Sequence, residues 1–220
     1  MRAMPYSPAR RFLAGVASRL SHRLAMLATT ARPPATVLVL GGARSGKSQH
    51  AERLLAGYRE VVYIATGHAP DGQDSEWAER VRRHRARRPP HWHTVETADL
   101  PAALRRAQAP VLVDCLATWL ARELDGAGAW DGADRWEEHV TSRMDELIGV
   151  WRSLPVPAVA VSNEVGSGVV PATPAGRLFR DVLGSLNSRV SAASDVVHLV
   201  VAGRAIALPE PPGPPRNNQE

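Results

Sequence analysis

Val37-Leu38-Val39-Leu40-Gly41-Gly42-Ala43-Arg44-Ser45-Gly46-Lys47-Ser48 is a run of apolar residues, a glycine-containing turn and the opening of an amphipathic segment. It matches G-x-x-x-x-G-K-[ST], the loop that cradles polyphosphate between a buried strand and a helix N-terminus. Gly41 and Gly46 permit backbone angles that let successive N–H groups converge on one anion, and the helix end adds its partial positive charge. Lys47 then reaches the β and γ phosphates, and Ser48 offers a hydroxyl to Mg²⁺. A fortuitous glycine turn is the plain alternative. Lys47 is also the sole lysine in a chain rich in arginine, which points to a position where a compact ammonium fits and a planar guanidinium does not.

Outward from this loop, short apolar runs alternate with helical patterns. Val37–Leu40, Val61–Thr66, Val111–Leu116, Ala158–Asn163 and Val196–Ala202 read as strands without polar alternation, as buried parallel strands do. Helices are predicted at Lys47–Tyr58, Ser75–Arg87, Leu100–Ala107, Leu116–Leu124, Ala133–Leu154 and Pro174–Ala193. The alternation predicts an α/β fold of the P-loop NTPase (RecA-like) kind, a mostly parallel sheet flanked by helices with ligands at the carboxyl ends of the strands.

The 220 residues, 44% hydrophobic, supply one core and leave little for a second. One domain is expected over 36–208. Residues 1–35 hold no acidic side chain and several arginines, and read as a basic extension: a disordered tail or a start codon placed too early, against a membrane-surface or targeting segment. Residues 209–220, rich in Pro and polar groups, read as a disordered tail. No apolar run is long enough to span a bilayer, and a single cysteine, Cys115, excludes a disulfide framework, so no membrane insertion and a cytoplasmic setting are expected. The net charge of +5 favours phosphate-bearing partners.

Beyond the loop, Val111-Leu112-Val113-Asp114 closes an apolar run on a carboxylate, which suits a metal-side partner for Ser48; an Asp that only caps the next helix has the same appearance. The segment from Ser75 to Trp92 is dense in arginine around His84. A solvated basic face is the default reading. Arginines around a histidine also disfavour its protonation and can hold a triphosphate beside it, so the ring could attack an α-phosphate and form a phosphoramidate.

These residues together resemble a known family. Gly41–Ser48 with His50-Ala51-Glu52, Tyr63-Ile64-Ala65-Thr66, Glu76…Arg80…His84-Arg85, Arg88-Pro89, Trp92 and Thr94-Val95-Glu96 look like the adenosylcobinamide kinase / adenosylcobinamide-phosphate guanylyltransferase family. Val113–Leu116, Phe179-Arg180-Asp181, Leu186-Asn187 and Val201-Ala202-Gly203 continue the likeness. The most specific stretch is Asn163-Glu164-Val165-Gly166-Ser167-Gly168-Val169-Val170-Pro171; read from its residues alone it is a strand entering a loop, which packs beside the phosphate site or merely turns the chain.

The resemblance implies two steps: phosphorylation of adenosylcobinamide by ATP or GTP, then transfer of GMP from GTP through a guanylyl-histidine to adenosylcobinamide phosphate, giving adenosylcobinamide-GDP. It implies His84 as the guanylylated residue and Lys47 as its catalytic companion. It implies nucleotide contacts from Gly41, Gly42, Ala43, Arg44, Ser45, Gly46, Lys47 and Ser48, from Ala65, Thr66 and Gly67, from Arg85, Ala86, Arg87 and Arg88, and from Glu96 and Asp114, with Mg²⁺ held at Ser48 and Asp114. Asp114 stands where some relatives have Glu, Gly67 where some have a small polar residue, and Arg83 where some have a second histidine. A homo-oligomer, a trimer, is implied likewise. Two other readings remain at this stage: a small-molecule P-loop kinase lacking the second activity, and a RecA-like nucleic-acid-binding ATPase. Against the latter, the arginines cluster on one short helix with no RNP-type or aromatic stacking stretch around them, and no nucleic acid partner is expected.

Overall fold

The structure is a computed structural model that describes residues 36–67 and 75–210. The basic N-terminal stretch and all but the first two residues of the Pro-rich tail lie outside these.

Strands β1 (Thr36–Gly41), β2 (Val62–Ala65), β3 (His93–Glu96), β4 (Val111–Asp114), β5 (Ala158–Asn163), β6 (Val196–Val201) and β7 (Arg204–Leu208) form one sheet in the order β3-β2-β4-β5-β1-β6-β7. All neighbours are parallel except β6 and β7, which form an antiparallel hairpin at one edge. β3 and β7 were not predicted from the sequence. Helices α1 (Lys47–Leu55), α2 (Ser75–Arg87), α3 (Leu100–Arg105), α4 (Leu116–Gly126), α5 (Trp136–Arg152) and α6 (Pro174–Ser191) stand where helices were expected, with several ends a few residues shorter.

Side chains of a strand alternate between faces, and the two halves of the core follow that alternation. Leu38, Ile64, Val111, Val113, Ala158 and Ala160 pack on one face against α3, α4, α5 and α6 through Leu104, Trp119, Leu120, Leu147, Trp151 and Leu186. Val37, Val39, Tyr63, Leu112, Val159 and Val161 pack on the other with Ala51 and Leu55 of α1. Both faces of the sheet are thus covered, which explains why its strands lack polar alternation. Deleting a fully buried aromatic such as Trp119 typically costs about 3–5 kcal/mol, because the cavity collapses only in part.

Helix starts follow local chemistry. The Asp99 carboxylate accepts from the Ala102 amide at the start of α3, and the Thr173 hydroxyl accepts from the Gly176 amide at the start of α6, each with a proline in the first turn. The α1 start has no side-chain cap, so its first amides stay open to an anion. α2 carries ion pairs from Glu79 to Arg82 and Arg83 and gives way to Pro89 and Pro90. No helix among the described residues is long and apolar enough to cross a membrane. The parallel strand order and the phosphate loop at the end of β1 make this a P-loop NTPase fold.

Candidate functional site

The loop from Gly41 to Lys47 is held from both sides. Gly46 adopts φ +92°, the left-handed region that glycine enters freely, and a Cβ there would sit 3.3 Å from the Gly203 Cα. The Gly203 amide, in the β6–β7 turn, donates to the Ser45 carbonyl at 2.8 Å. At Gly41 a Cβ would lie 2.6 Å from the Val200 carbonyl oxygen, backbone that cannot swing aside. The hairpin that the sequence reading missed is therefore what shapes the back of the phosphate loop.

Lys47 is buried, and its ammonium donates to the Gly42 carbonyl at 3.1 Å. A cavity of about 680 Å³ opens on this loop, lined by Ala43 through Gln49 and, from α2, by Glu79, Arg83 and His84. The expected nucleophile and the expected phosphate cradle thus share one cavity.

Asp114, at the end of β4, joins the two. The His84 Nδ1 lies 3.0 Å from Asp114 Oδ2, the Tyr63 hydroxyl donates to the same oxygen, and the Ser48 hydroxyl stands 3.5 Å from Oδ1. Burial by itself would raise the Asp114 carboxyl, but the hydrogen bonds from His84 and Tyr63 outweigh it and hold the group below the usual carboxylate range. The charged group in contact with the imidazole is thus a carboxylate and not one of the arginines that sequence reasoning set around it. Burial, and the Asp114 charge second, push the Tyr63 phenol well above its ordinary value, which keeps it a donor. The Ser48 hydroxyl and Asp114 Oδ1 are hard oxygen donors side by side at the phosphate end, a pair that suits Mg²⁺.

The remaining residues singled out in the sequence gather elsewhere. Ala65, Thr66, Gly67, Arg85, Ala86, Arg88 and Glu96 are not among the residues lining the cavity. Pairing of β2 with β3 sets Ala65 opposite Glu96, and Arg85 forms an ion pair with Glu96. Arg88 stacks 3.6 Å over the Tyr63 ring and donates to the Thr94 hydroxyl. Thr66 donates to the Cys115 carbonyl at 2.7 Å, and Arg122 reaches the Thr66 and Gly67 carbonyls at 3.4 Å. Arg85 with Glu96, Arg88 with Thr94, and Thr66 and Gly67 with Arg122 form a second polar group near the carboxyl ends of β2 and β3, whereas Ala86 is exposed on α2. Arg87 lies in the last turn of α2. The Val165–Pro171 loop starts beside the phosphate loop, since the Glu164 amide donates to the Gly41 carbonyl at 3.1 Å. The Glu164 carboxylate accepts from the Gly166 and Ser167 amides.

Sequence reasoning missed Tyr63, Gln49, Glu79, Arg83 and Arg122 as neighbours of the site. Tyr63 has no signal of its own in the sequence beyond the motif it sits in, because nothing in the spacing ties a phenol on one strand to a carboxylate on another.

The family model for cobinamide kinase / cobinamide phosphate guanyltransferase matches residues 37–208. The chain is 38% identical to the bifunctional adenosylcobalamin biosynthesis protein CobU of Escherichia coli (strain K12), over 78% of this chain and 98% of that protein. It is 37% identical to the protein of the same name from Salmonella typhimurium, with the same coverage. It is 40% identical to the bifunctional adenosylcobalamin biosynthesis protein CobP of Pseudomonas aeruginosa, over 78% of this chain and 95% of that one. Among solved structures, a prototypical ATPase from the type III secretion system of pathogenic bacteria aligns with TM-score 0.49 and 13% identity, covering 74% of this chain and 50% of that one.

Proposed function

The chain belongs to the cobinamide kinase / cobinamide phosphate guanyltransferase family, and from that premise we propose how its own residues carry out both reactions. The enzyme phosphorylates adenosylcobinamide with ATP or GTP, then moves GMP from GTP through His84 to adenosylcobinamide phosphate, giving adenosylcobinamide-GDP in cobalamin biosynthesis. The observation that carries this reading is the single carboxylate of Asp114, which touches the His84 ring on one oxygen and approaches the Ser48 hydroxyl on the other.

In the first step, the open amides at the start of α1 and the Lys47 ammonium bind the β and γ phosphates and offset the charge that develops there. Phosphoryl transfer needs little else from a protein than such positioning. Mg²⁺ held by Ser48 and Asp114 would supply further neutralisation of phosphate charge. In the second step, the same loop holds the triphosphate of GTP while the His84 imidazole, on the cavity wall, meets its α-phosphorus. The cluster of Ala65–Gly67, Arg85, Arg88 and Glu96, with Ala86 and Arg87 adjoining it in the chain, takes the nucleoside part. Its amides, carbonyls and guanidinium groups suit a purine and ribose better than an apolar surface would.

Incubation with α-labelled GTP is expected to leave an acid-labile, alkali-stable label on His84. The His84→Ala protein should form no adduct and keep its kinase activity, because phosphoryl transfer needs no histidine nucleophile. A covalent adduct on the His84→Ala protein would sink the assignment.

Residues 36–208 act as the catalytic unit in this reading, so removing 1–35 and 209–220 should leave both activities intact. The protein is a homo-oligomer, a trimer, in the same reading. Exposed Val201, Ile206 and Leu208 on the hairpin at the sheet edge support it, since apolar edge strands are rarely left bare. Light scattering on the purified protein reads the stoichiometry directly.

A further inference from the structure

An imidazole has two nitrogens, and a nucleotidyl group can leave or arrive on only one at a time. His84 uses Nδ1 to meet Asp114 Oδ2 at 3.0 Å, and that same oxygen accepts the Tyr63 hydroxyl. A carboxylate only accepts, so the ring nitrogen facing it carries the proton. In the neutral ring, the form able to attack phosphorus, the lone pair is then on Nε2. Among the described residues nothing hydrogen-bonds Nε2, and His84 lines the cavity with Lys47 and Ser48. Asp114 is itself locked from two strands, by its place at the end of β4 and by the Tyr63 hydroxyl from β2.

The geometry points to Asp114 as a positioning residue that holds the Nδ1–H of His84 and so directs the guanylyl group to Nε2. The inference rests on the guanylyl-histidine reading above and adds which atom is used and what selects it. The Nε2 lone pair forms the bond to the α-phosphorus, and the bond from that phosphorus to its bridging oxygen breaks. The electron pair leaves with pyrophosphate. The Nδ1 proton stays in place, and the ring, now cationic, sits against the Asp114 carboxylate. In the return step a phosphate oxygen of adenosylcobinamide phosphate attacks the phosphorus, the N–P electrons go back to Nε2, and the neutral tautomer is restored with no proton transfer at Nδ1. One carboxylate thus serves both halves of the exchange, as an orienting acid does for a catalytic histidine elsewhere.

The full-length protein, labelled with ¹⁵N-histidine and incubated with GTP, Mg²⁺ and pyrophosphatase, tests this by NMR of the adduct at alkaline pH. Phosphorus should couple to the nitrogen that shows strong two-bond coupling to both ring C–H protons, which is Nε2. Phosphorus on Nδ1 of His84 would overturn the inference and leave the two-step function standing. No label on His84 at all would instead remove the guanylyl-histidine reading, and this inference with it.

Variants give a second readout. An amide at position 114 can donate to Nδ1 and favour the wrong tautomer, so Asp114→Asn should slow adduct formation by about 10²–10⁴-fold. Asp114→Glu, which keeps an acceptor, should recover most of that loss and still give the Nε2 adduct. Tyr63→Phe leaves the Asp114 contact to His84 in place and should slow labelling several-fold without changing the nitrogen labelled. An Asp114→Asn protein that is folded by circular dichroism and labels as fast as wild type would also refute the role.

Discussion

Lys47 is 6% exposed, and its ammonium already donates to the Gly42 carbonyl. A guanidinium there is wider, planar and obliged to satisfy five N–H groups within a loop whose shape is fixed by Gly41 and Gly46. Lys47→Arg is therefore not conservative. It should weaken nucleotide binding about 100-fold, or ~2.7 kcal/mol, with thermal stability near wild type; equilibrium titration with a fluorescent GTP analogue and a melting curve measure the two. Equal affinity in the variant would count against the ammonium as a phosphate ligand. At this scale the sequence was explicit, since the sole lysine fell inside the motif. Tyr63 was not legible in the same way. Its bond to Asp114 depends on β2 lying beside β4, with Ala65 opposite Asp114, and no local spacing encodes that.

Elements were legible where apolar periodicity is long and hidden where pairing alone makes the strand. β3 is His93-Thr94-Val95-Glu96, with exposed residues at both ends, and it becomes a strand only by pairing with β2 at the sheet edge. β7 is exposed along all of Arg204–Leu208, so burial gives it no pattern. Its sole signal was Ala202-Gly203, both at positive φ, a turn that suits the twist of a hairpin.

β6 also meets α1 through a histidine pair, His50 Nε2 to His198 Nδ1 at 3.0 Å. One ring donates and the other accepts, so the contact requires at least one neutral ring. Burial pushes the His198 imidazole below its usual 6.5. Well above 6.5 the ring is neutral in both the folded and unfolded chains, and as pH falls through 6.5 the unfolded chain takes the proton first, so stability declines toward acid. One proton sets a ceiling of about 1.4 kcal/mol per pH unit, and the partly solvated ring brings the effect well under it. Melting temperature should fall between pH 7 and pH 5.5, and His198→Gln, which still accepts from His50, should make that decline shallower. An identical slope in the variant would remove the pair as its source.

Across the whole molecule, the strand order decides what can meet. β5 lies between β1 and β4, yet the loop after β1 and the carboxylate ending β4 converge because parallel strands end on one side of the sheet. α2 then brings His84 over that same end. The alternation of strands and helices announced this sheet, but not the order of its strands, which is set by pairing between distant segments. The consequence for function is a shared room. A cavity of about 680 Å³ is of the size that holds one nucleotide-sized ligand, and the phosphate loop and His84 both line it. The kinase donor and the GTP that guanylylates His84 must then exclude each other. A non-hydrolysable ATP analogue should inhibit His84 labelling competitively with GTP, with an inhibition constant equal to its dissociation constant from the phosphate loop. Raising GTP should restore the labelling rate in full, and Lys47→Ala should weaken the analogue and the GTP by a similar factor. Labelling that is indifferent to a saturating analogue would mean two nucleotide sites, one at the loop and another over the Ala65–Gly67 and Glu96 cluster, with His84 serving only the second.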